Sequence, residues 1–416
     1  MRFRLTEEEE RFQQEVSQWC EENVPAQLRE RPILGNHYTL GAGAISDIND
    51  TDYQLIRQFA LKLGEKGWLR IGWPEEYGGI RMNPVERSII SEELRQHRGW
   101  NIRTADLPGM IIAHGTKEQK DYWLPPLGRG EIATCLCLSE PDAGSDMANC
   151  KCRAVLEGDH FIVNGMKHYV SQAQRADYGQ LLVVTDPEAR KRHGLSRLIC
   201  DMHAPGVTVR PMLDMAGEIE LNEVWFDDVR IPKDWLIGTL HECWLEMNMD
   251  APGGGVSGGA SIDYFDAFID YCKEAHRNGK PLSKDPQVRH KLAQLAIDRA
   301  VMTQISWQGL SNSQRNFGKP RRPASPASVG GGIQSVAAST QPMISKEWHP
   351  RFAQAVMEIM GPMGLLSAGS EWAPLEGWAE RHYRMRGFET HAHGTIEVLK
   401  MVVATRGLGL PRGPGN

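Results

Sequence analysis

The stretches whose residue types and spacing could do chemistry are Leu138-Ser139-Glu140-Pro141-Asp142-Ala143-Gly144-Ser145-Asp146 and Val163-Asn164-Gly165-Met166-Lys167-His168-Tyr169-Val170-Ser171. In the first, a strand-like run stops at Glu-Pro and gives way to a Gly-Ser-Asp turn. The second reads as strand, turn and strand, and ends in an aromatic ring and a hydroxyl. Two strand ends that bring together backbone donors, hydroxyls and a flat ring make a seat for a planar cofactor with a polar edge. The eight cysteines lack the repeated Cys-x2-Cys pairs of a zinc site. Cys135 and Cys137, like Cys150 and Cys152, are one residue apart, which puts each pair on one strand face as small buried hydrophobes. No metal site is expected.

Those strand ends need a frame, and the periodicity of the chain supplies one in three parts. Thr6-Glu7-Glu8-Glu9 is a capping box that opens a helix. From there to about residue 130 the spacing is helical. Leu55, Ile56, Phe59, Ala60 and Leu63 share one face of a helix over 52–67, and further helices are expected over 84–97 and 117–122. Pro74, Gly78-Gly79 and Pro125-Pro126 read as breaks. From 132 to about 238, short apolar or alternating runs predict strands, with Glu157-Gly158-Asp159 and Asn164-Gly165 as hairpin turns. The expected result is a small β-barrel or sandwich. Beyond Trp244 helical spacing returns over 262–272, 288–310, 351–360 and 396–405, which predicts an antiparallel bundle. The expected domains are 1–130, 131–240 and 241–416. The last is interrupted by a Pro-, Gly- and Ser-rich segment over 318–340, read as a mobile inter-helix loop, with a partner-binding loop as the alternative, because it has little with which to form a core.

A chain of 416 residues with 47 basic and 53 acidic side chains carries a formal charge of −6, which does not fit a nucleic-acid binder. Met1-Arg2-Phe3-Arg4 and the acids from Glu7 to Glu10 lack the apolar core of a secretory signal, and no run is long enough to span a membrane. A cytoplasmic, reducing setting is the expectation.

The plan of helices, then strands, then helices, together with the Ser139–Asp146 turn, resembles the acyl-CoA dehydrogenase family. Further motifs carry the resemblance along essentially the whole chain. They are Gly67-Trp68-Leu69 with Gly72-Trp73-Pro74-Glu75-Glu76-Tyr77-Gly78-Gly79, His114-Gly115-Thr116-Lys117-Glu118-Gln119-Lys120, Phe226-Asp227-Asp228-Val229-Arg230-Ile231-Pro232, and Gly394-Thr395-Ile396-Glu397-Val398 with Gly407-Leu408-Gly409-Leu410-Pro411. The resemblance implies an α+β fold: an N-terminal all-α domain, a middle β-barrel domain and a C-terminal antiparallel four-helix bundle. It implies FAD held between the β domain and the bundle. Leu136, Leu138 and Ser139 would border the isoalloxazine, and Tyr169 and Ser171 would cover it. Ser145 would meet the CoA of an acyl-CoA substrate. Glu358, Gly361 and Gly364 match a segment that meets a neighbouring subunit's FAD, and Thr395 and Glu397 match contacts near its pyrophosphate and adenosine. Family members commonly place an Arg and a Phe where this chain has Ala275 and Asn278; Arg277 could substitute with a small shift. A homo- or hetero-oligomer, dimer or tetramer, and an electron-transferring flavoprotein as acceptor are implied with the rest.

The family reaction removes an α-proton from an acyl-CoA while hydride leaves the β-carbon for flavin N5. Most members carry the base as a glutamate directly before the Gly-Thr matched by Gly394-Thr395. Here His393 stands there, with His391 two residues earlier. A second family solution places the base near Asp250, whose side chain is one methylene shorter than glutamate, roughly 1.5 Å of reach. Pro252-Gly253-Gly254-Gly255 and Gly258-Gly259 oppose a regular helix just beyond it, so this stretch is expected to open around a bulky acyl group. Three readings stand. Asp250 is the base and His393 lines the pocket, or His393 takes the proton as a neutral imidazole, or the subunit lacks a base. The last would make it one half of a heteromeric dehydrogenase, or a flavin monooxygenase on the same fold. The expected reaction is FAD-dependent α,β-dehydrogenation of a bulky, branched or cyclic acyl-CoA.

Overall fold

The computed structural model describes residues 4–29, 50–99, 104, 107–190, 192–217, 219–247, 264–317, 336–391 and 394–411. Asp250, the Gly-rich stretch after it, His393 and residues 318–335 lie outside the described residues.

The first part is helical: α1 Glu7–Asn23, α2 Ala26–Arg29, α3 Asp50–Glu65, α4 Pro84–Gln96, α5 Leu107–His114 and α6 Lys117–Arg129. The capping box forms as its spacing predicts. The Thr6 hydroxyl accepts from Glu9 N at 3.3 Å, and the Glu9 carboxylate accepts from Thr6 N at 2.7 Å. Ile56, Phe59, Ala60 and Leu63 turn the expected face of α3 inward. Pro125-Pro126 does not break the chain; both lie inside α6. Their missing N–H groups leave the Asp121 and Tyr122 carbonyls without the donors a regular helix would supply four residues on, a local cost. Burial of Trp123, Leu124 and Leu127 holds the segment helical against the local penalty.

The middle part holds β1 Thr134–Cys137, β2 Arg153–Glu157, β3 His160–Ser171, β4 Tyr178–Val184, β5 Leu195–Asp201, β6 Val207–Met212, β7 Leu221–Pro232 and β8 Leu236–Ile237. They form one sheet in the order β6-β7-β3-β2-β4-β5-β8, with β1 parallel to β4. Inward residues from both halves meet in one core: Phe161 and Val163 of β3, Val224 and Phe226 of β7, Leu181 and Val183 of β4, Leu198 and Cys200 of β5. The sheet therefore curls around a single interior, as a small barrel does. Glu157-Gly158-Asp159 makes the β2–β3 hairpin, but Asn164-Gly165 is not a turn. It lies inside β3 as an irregularity in the ladder with β7. The Asn164 amide donates to the Asp228 carboxylate at 2.8 Å and its carbonyl accepts from Asp228 N at 2.9 Å. Gly165 has φ 143°, and a Cβ there would lie 2.8 Å from Cys152 Cα. Gly165→Val is therefore expected to destabilise the protein by about 1–3 kcal/mol. A denaturant midpoint equal to that of the unaltered chain would show the bulge to be dispensable.

All eight cysteines are buried and none is joined in a disulfide. Cys150 and Cys152 both lie just before β2 rather than on one strand face, contrary to the alternation read from sequence. Burial pushes the Cys152 thiol up to about 12 and Cys20 likewise, so both stay protonated and unreactive near neutral pH. Among the described residues no cluster of His, Cys, Asp or Glu could hold a metal ion.

The third part contains α7 Cys243–Glu246, α8 Tyr264–Glu274, the two-stranded ribbon β9 His276–Arg277 and β10 Lys280–Pro281, and then α9 Pro286–Asn316, α10 Val336–Met360, α11 Trp378–Glu389 and α12 Ile396–Val402. Helix α10 begins at Val336, so the end of the expected loop over 318–340 is helical. Four helices share one core: Phe265 and Phe268 of α8, Val288 and Leu295 of α9, Trp348, Phe352 and Val356 of α10, and Trp378 and Ala379 of α11. The Trp348 indole donates to Leu295 O at 3.1 Å, tying α10 to α9. Helix α12 packs on α10 and is joined to it by the Lys400–Glu347 ion pair at 2.5 Å. His382 of α11 is buried against Trp378, 4.4 Å between ring centres, and faces Phe352 and Tyr264. None of the helices among the described residues is long and apolar enough to cross a membrane.

Candidate functional site

Strand β1 delivers Leu136 to the sheet opposite Gln180, and the chain then leaves the strand at Leu138-Ser139. That exit is stapled to β3. His168 N donates to Ser139 O at 2.8 Å. The Lys167 ammonium donates to Leu138 O at 3.2 Å and to the Glu140 carboxylate at 2.7 Å. The same carboxylate accepts from Lys151 N at 2.6 Å and Cys152 N at 3.0 Å. Glu140 and Ala143 exchange backbone bonds of 3.1 Å each, closing the Pro141-Asp142 turn. Lys167 is fully buried.

The ladder between β3 and β7 slips between Lys167 and Val170. The slip turns Tyr169 outward with φ 58°, a left-handed backbone that costs a non-glycine residue about 1–2 kcal/mol. The staple at Lys167 and His168 just before it and the His168 ring, 4.0 Å from the Tyr169 ring, hold it there. The Tyr169 side chain is 56% exposed, an unusual setting for a ring on a packed strand. Ser171 ends β3 opposite Leu221. The structure thus brings Leu138 and Ser139 beside His168 and Tyr169, with Leu136 two residues earlier on β1 and Ser171 two residues further along β3. Beside them His168 Nδ1 is buried without a hydrogen-bond partner, while Nε2 lies 3.5 Å from the Glu223 carboxylate. An open aromatic face, two hydroxyls and an unused buried ring nitrogen fit a planar, polar-edged cofactor such as a flavin. Ser145 is exposed in the following turn, beyond the Asp142–Lys151 pair of 2.7 Å.

The remaining sequence-predicted residues form a second group, on the bundle. Asn278 and Gly279 both have left-handed backbone, at φ 52° and 74°, and make the two-residue turn between β9 and β10. The Arg277 guanidinium donates to Ile359 O near the end of α10. This brings Arg277 beside Glu358 and Gly361. Glu358 pairs with Lys291 and accepts from the Gln354 amide at 2.9 Å. Those two partners hold its carboxyl below the usual carboxylate range. Gly361, at φ 59°, ends α10 with no atom where a Cβ would stand. Thr395 caps α12, its hydroxyl accepting from Val398 N at 3.3 Å. The Glu397 carboxyl is held low by its own backbone amide and by the Thr395 hydroxyl. His391 is exposed, with Nδ1 2.9 Å from Gly387 O and 2.8 Å from the Thr390 hydroxyl.

Sequence reasoning did not single out Glu140 and Lys167. A signal was present. Lys167 falls on the inward parity of a strand whose Phe161 and Val163 face the core, and a buried ammonium needs a carboxylate.

Three family models match consecutive stretches: the acyl-CoA dehydrogenase N-terminal domain over residues 42–131, the middle domain over 135–229 and the C-terminal domain over 254–408. Acyl-CoA dehydrogenase FadE29 of Mycobacterium tuberculosis is 30% identical over 372 residues, which cover 86% of this chain and 89% of that protein. The ChsE4-ChsE5 complex from Mycobacterium tuberculosis superposes with a TM-score of 0.78 at 26% identity, covering 99% of this chain and 100% of the other. A structure described as the Tcur3481-Tcur3483 steroid ACAD superposes at 0.77 with 25% identity, again over 99% and 100%. The chain belongs to the acyl-CoA dehydrogenase family, as an oxidoreductase with FAD as its cofactor and the dehydrogenation of an acyl-CoA as its reaction.

Proposed function

We propose that this chain dehydrogenates an acyl-CoA whose acyl group is bulky, branched or cyclic, and that an electron-transferring flavoprotein takes the electrons. The observation that carries the reaction is the staple between the end of β1 and β3, where Ser139 meets His168 beside the open Tyr169 ring. FAD, when bound there, accepts the β-hydride of the substrate. The chain supplies the rest. Leu136, Leu138 and Tyr169 hold the ring plane, Ser139 and Ser171 bind its polar edge, and Ser145 meets the CoA at the open turn. Asp250, or failing it His393, takes the α-proton on the substrate face away from the flavin. The Pro252–Gly259 composition and a relative described as a steroid ACAD support a large acyl group. We place the domain boundaries near residues 130 and 240.

One observation favours a second reading, in which the chain works beside a different subunit. Ala275 and Asn278 occupy the places where the family contacts a neighbour's FAD, Asn278 is committed to a tight turn, and Arg277 is tethered to Ile359 O. The ChsE4-ChsE5 and Tcur3481-Tcur3483 structures each pair two differently named chains.

The purified protein is expected to be yellow. A panel of acyl-CoAs should bleach it without oxygen, with cyclic and branched acyl groups faster than straight ones. Bleaching by straight chains alone would remove the bulky-substrate reading. A colourless chain that binds only reduced flavin and consumes oxygen would make it a monooxygenase. Solubility and colour gained only on co-expression with a second family member would establish the heteromer.

A further inference from the structure

We propose that Lys167, paired with Glu140, is a positioning residue for the flavin. It fixes the Leu138–Ser139 peptide and the Tyr169 ring in their binding geometry. This rests on the reading above that Leu138, Ser139 and Tyr169 border the cofactor.

The argument starts from cost. Lysine is almost never fully buried, and taking two charges out of water opposes folding even when they meet. Replacing such a pair by apolar or neutral groups of similar volume is often neutral or stabilising. Stability alone therefore gives a poor account of a Lys167 with no exposed surface, 2.7 Å from a Glu140 that is 6% exposed. What the pair does is geometric. Glu140 gathers three chain segments on one carboxylate: its own turn, the backbone at Lys151-Cys152, and β3 through Lys167. Lys167 uses a second proton on Leu138 O. A trans peptide is planar, with its C=O and N–H pointing opposite ways. Turning Leu138 C=O inward to the ammonium therefore turns the Ser139 N–H outward, to the side on which Tyr169 stands. The next peptide is fixed as well, because Ser139 O accepts from His168 N.

The same anchor governs Tyr169. The slip in β3 begins at Lys167, and Tyr169 follows two residues later in a strained backbone. Strain of this kind persists only where neighbours over-determine it. Lys167 locks the strand on one side of the slip, and the His168 N–Ser139 O bond locks the slip itself. Removing the ammonium frees the Leu138 peptide to rotate and the left-handed Tyr169 to relax. The donor and the ring face would then no longer be preset for the cofactor.

The test uses the full-length holoenzyme and three changes. Lys167→Met with Glu140→Gln leaves no charge alone in the core and keeps one oxygen acceptor facing the Lys151 and Cys152 N–H groups. Glu140→Gln alone keeps the ammonium. Tyr169→Ala reports on the seat independently. FAD release is followed by the rise in flavin fluorescence, the visible circular dichroism of bound flavin reads its environment, and a denaturant midpoint reads the fold. The double variant is expected to keep its midpoint, to release FAD at least tenfold faster, and to lose much of the visible dichroic signal. Unchanged release and dichroism in a folded double variant would overturn the proposal. So would FAD loss that merely tracks a falling midpoint across the variants. If Tyr169→Ala speeds release and the double variant does not, only the role of Lys167 falls. If Tyr169→Ala has no effect either, the flavin seat itself has been misplaced.

Discussion

Asp250→Asn is expected to slow anaerobic reduction of the bound flavin by about 10²–10⁴-fold, the usual worth of a positioned general base, while His393→Gln costs far less. The comparison isolates one proton. Asn matches Asp in size but cannot accept a proton at the relevant pH, so binding should survive and the reductive step should not. Of the two imidazoles before Gly394-Thr395, His391 is exposed and engaged with Gly387 O and Thr390, which leaves His393 as the competing base. Stopped-flow absorbance of the flavin band under one saturating acyl-CoA decides the ranking. The reverse order moves the base to His393. Small effects from both changes would mean that the proton leaves by way of another subunit, as the second functional reading requires.

The stability of the folded chain is expected to fall as pH drops from about 6.5 toward 4, by roughly 1.4 kcal/mol per unit for each of two histidines. Burial in the bundle, with Arg386 adding to it, pushes His349 down to about 3. Burial and then Arg386 drive His382 well below its ordinary range. Both are neutral in the folded protein and protonate near 6.5 once unfolded. The unfolded state therefore binds protons first as pH falls. The stability due to the neutral rings is complete above about 6.5 and is lost on the way down to the folded values. Arg386 is itself pushed down to about 9 by burial, and Arg386, His349 and Arg381 all oppose a proton on His382. His382 Nε2 has no hydrogen-bond partner, so His382→Phe removes no bond there and keeps the contact with Trp378. Urea midpoints at pH 7, 6 and 5 should run less steeply for this variant, and less steeply again when His349→Leu is added. Parallel slopes would show that carboxylates alone set the acid limit.

The helices and strands were legible where local signals and packing agree. The α3 face and the Thr6 capping box follow directly from spacing. Local signals failed where a distant contact outweighed them. Pro125-Pro126 stays helical because Trp123 and Leu127 are buried, and Asn164-Gly165 becomes a bulge because Asp228 and Cys152 lie across the sheet. The Arg277 guanidinium reaches a carbonyl 82 residues away, a partner no local pattern announces. The Lys167–Glu140 bond spans 27 residues and has no local signature beyond an out-of-place lysine.

The buried thiols give the molecule a set of internal clocks. Cys20 sits in the core of the N-terminal helices, Cys135, Cys137, Cys152 and Cys200 inside the curled sheet, and Cys272 in the bundle. Each is hidden while its own part stays closed, and opening exposes it to any thiol reagent in solution. The rate at which each cysteine acquires a label therefore measures how often that part opens. Cofactor, substrate or a partner subunit would each declare which of the three parts it steadies by which clocks it slows.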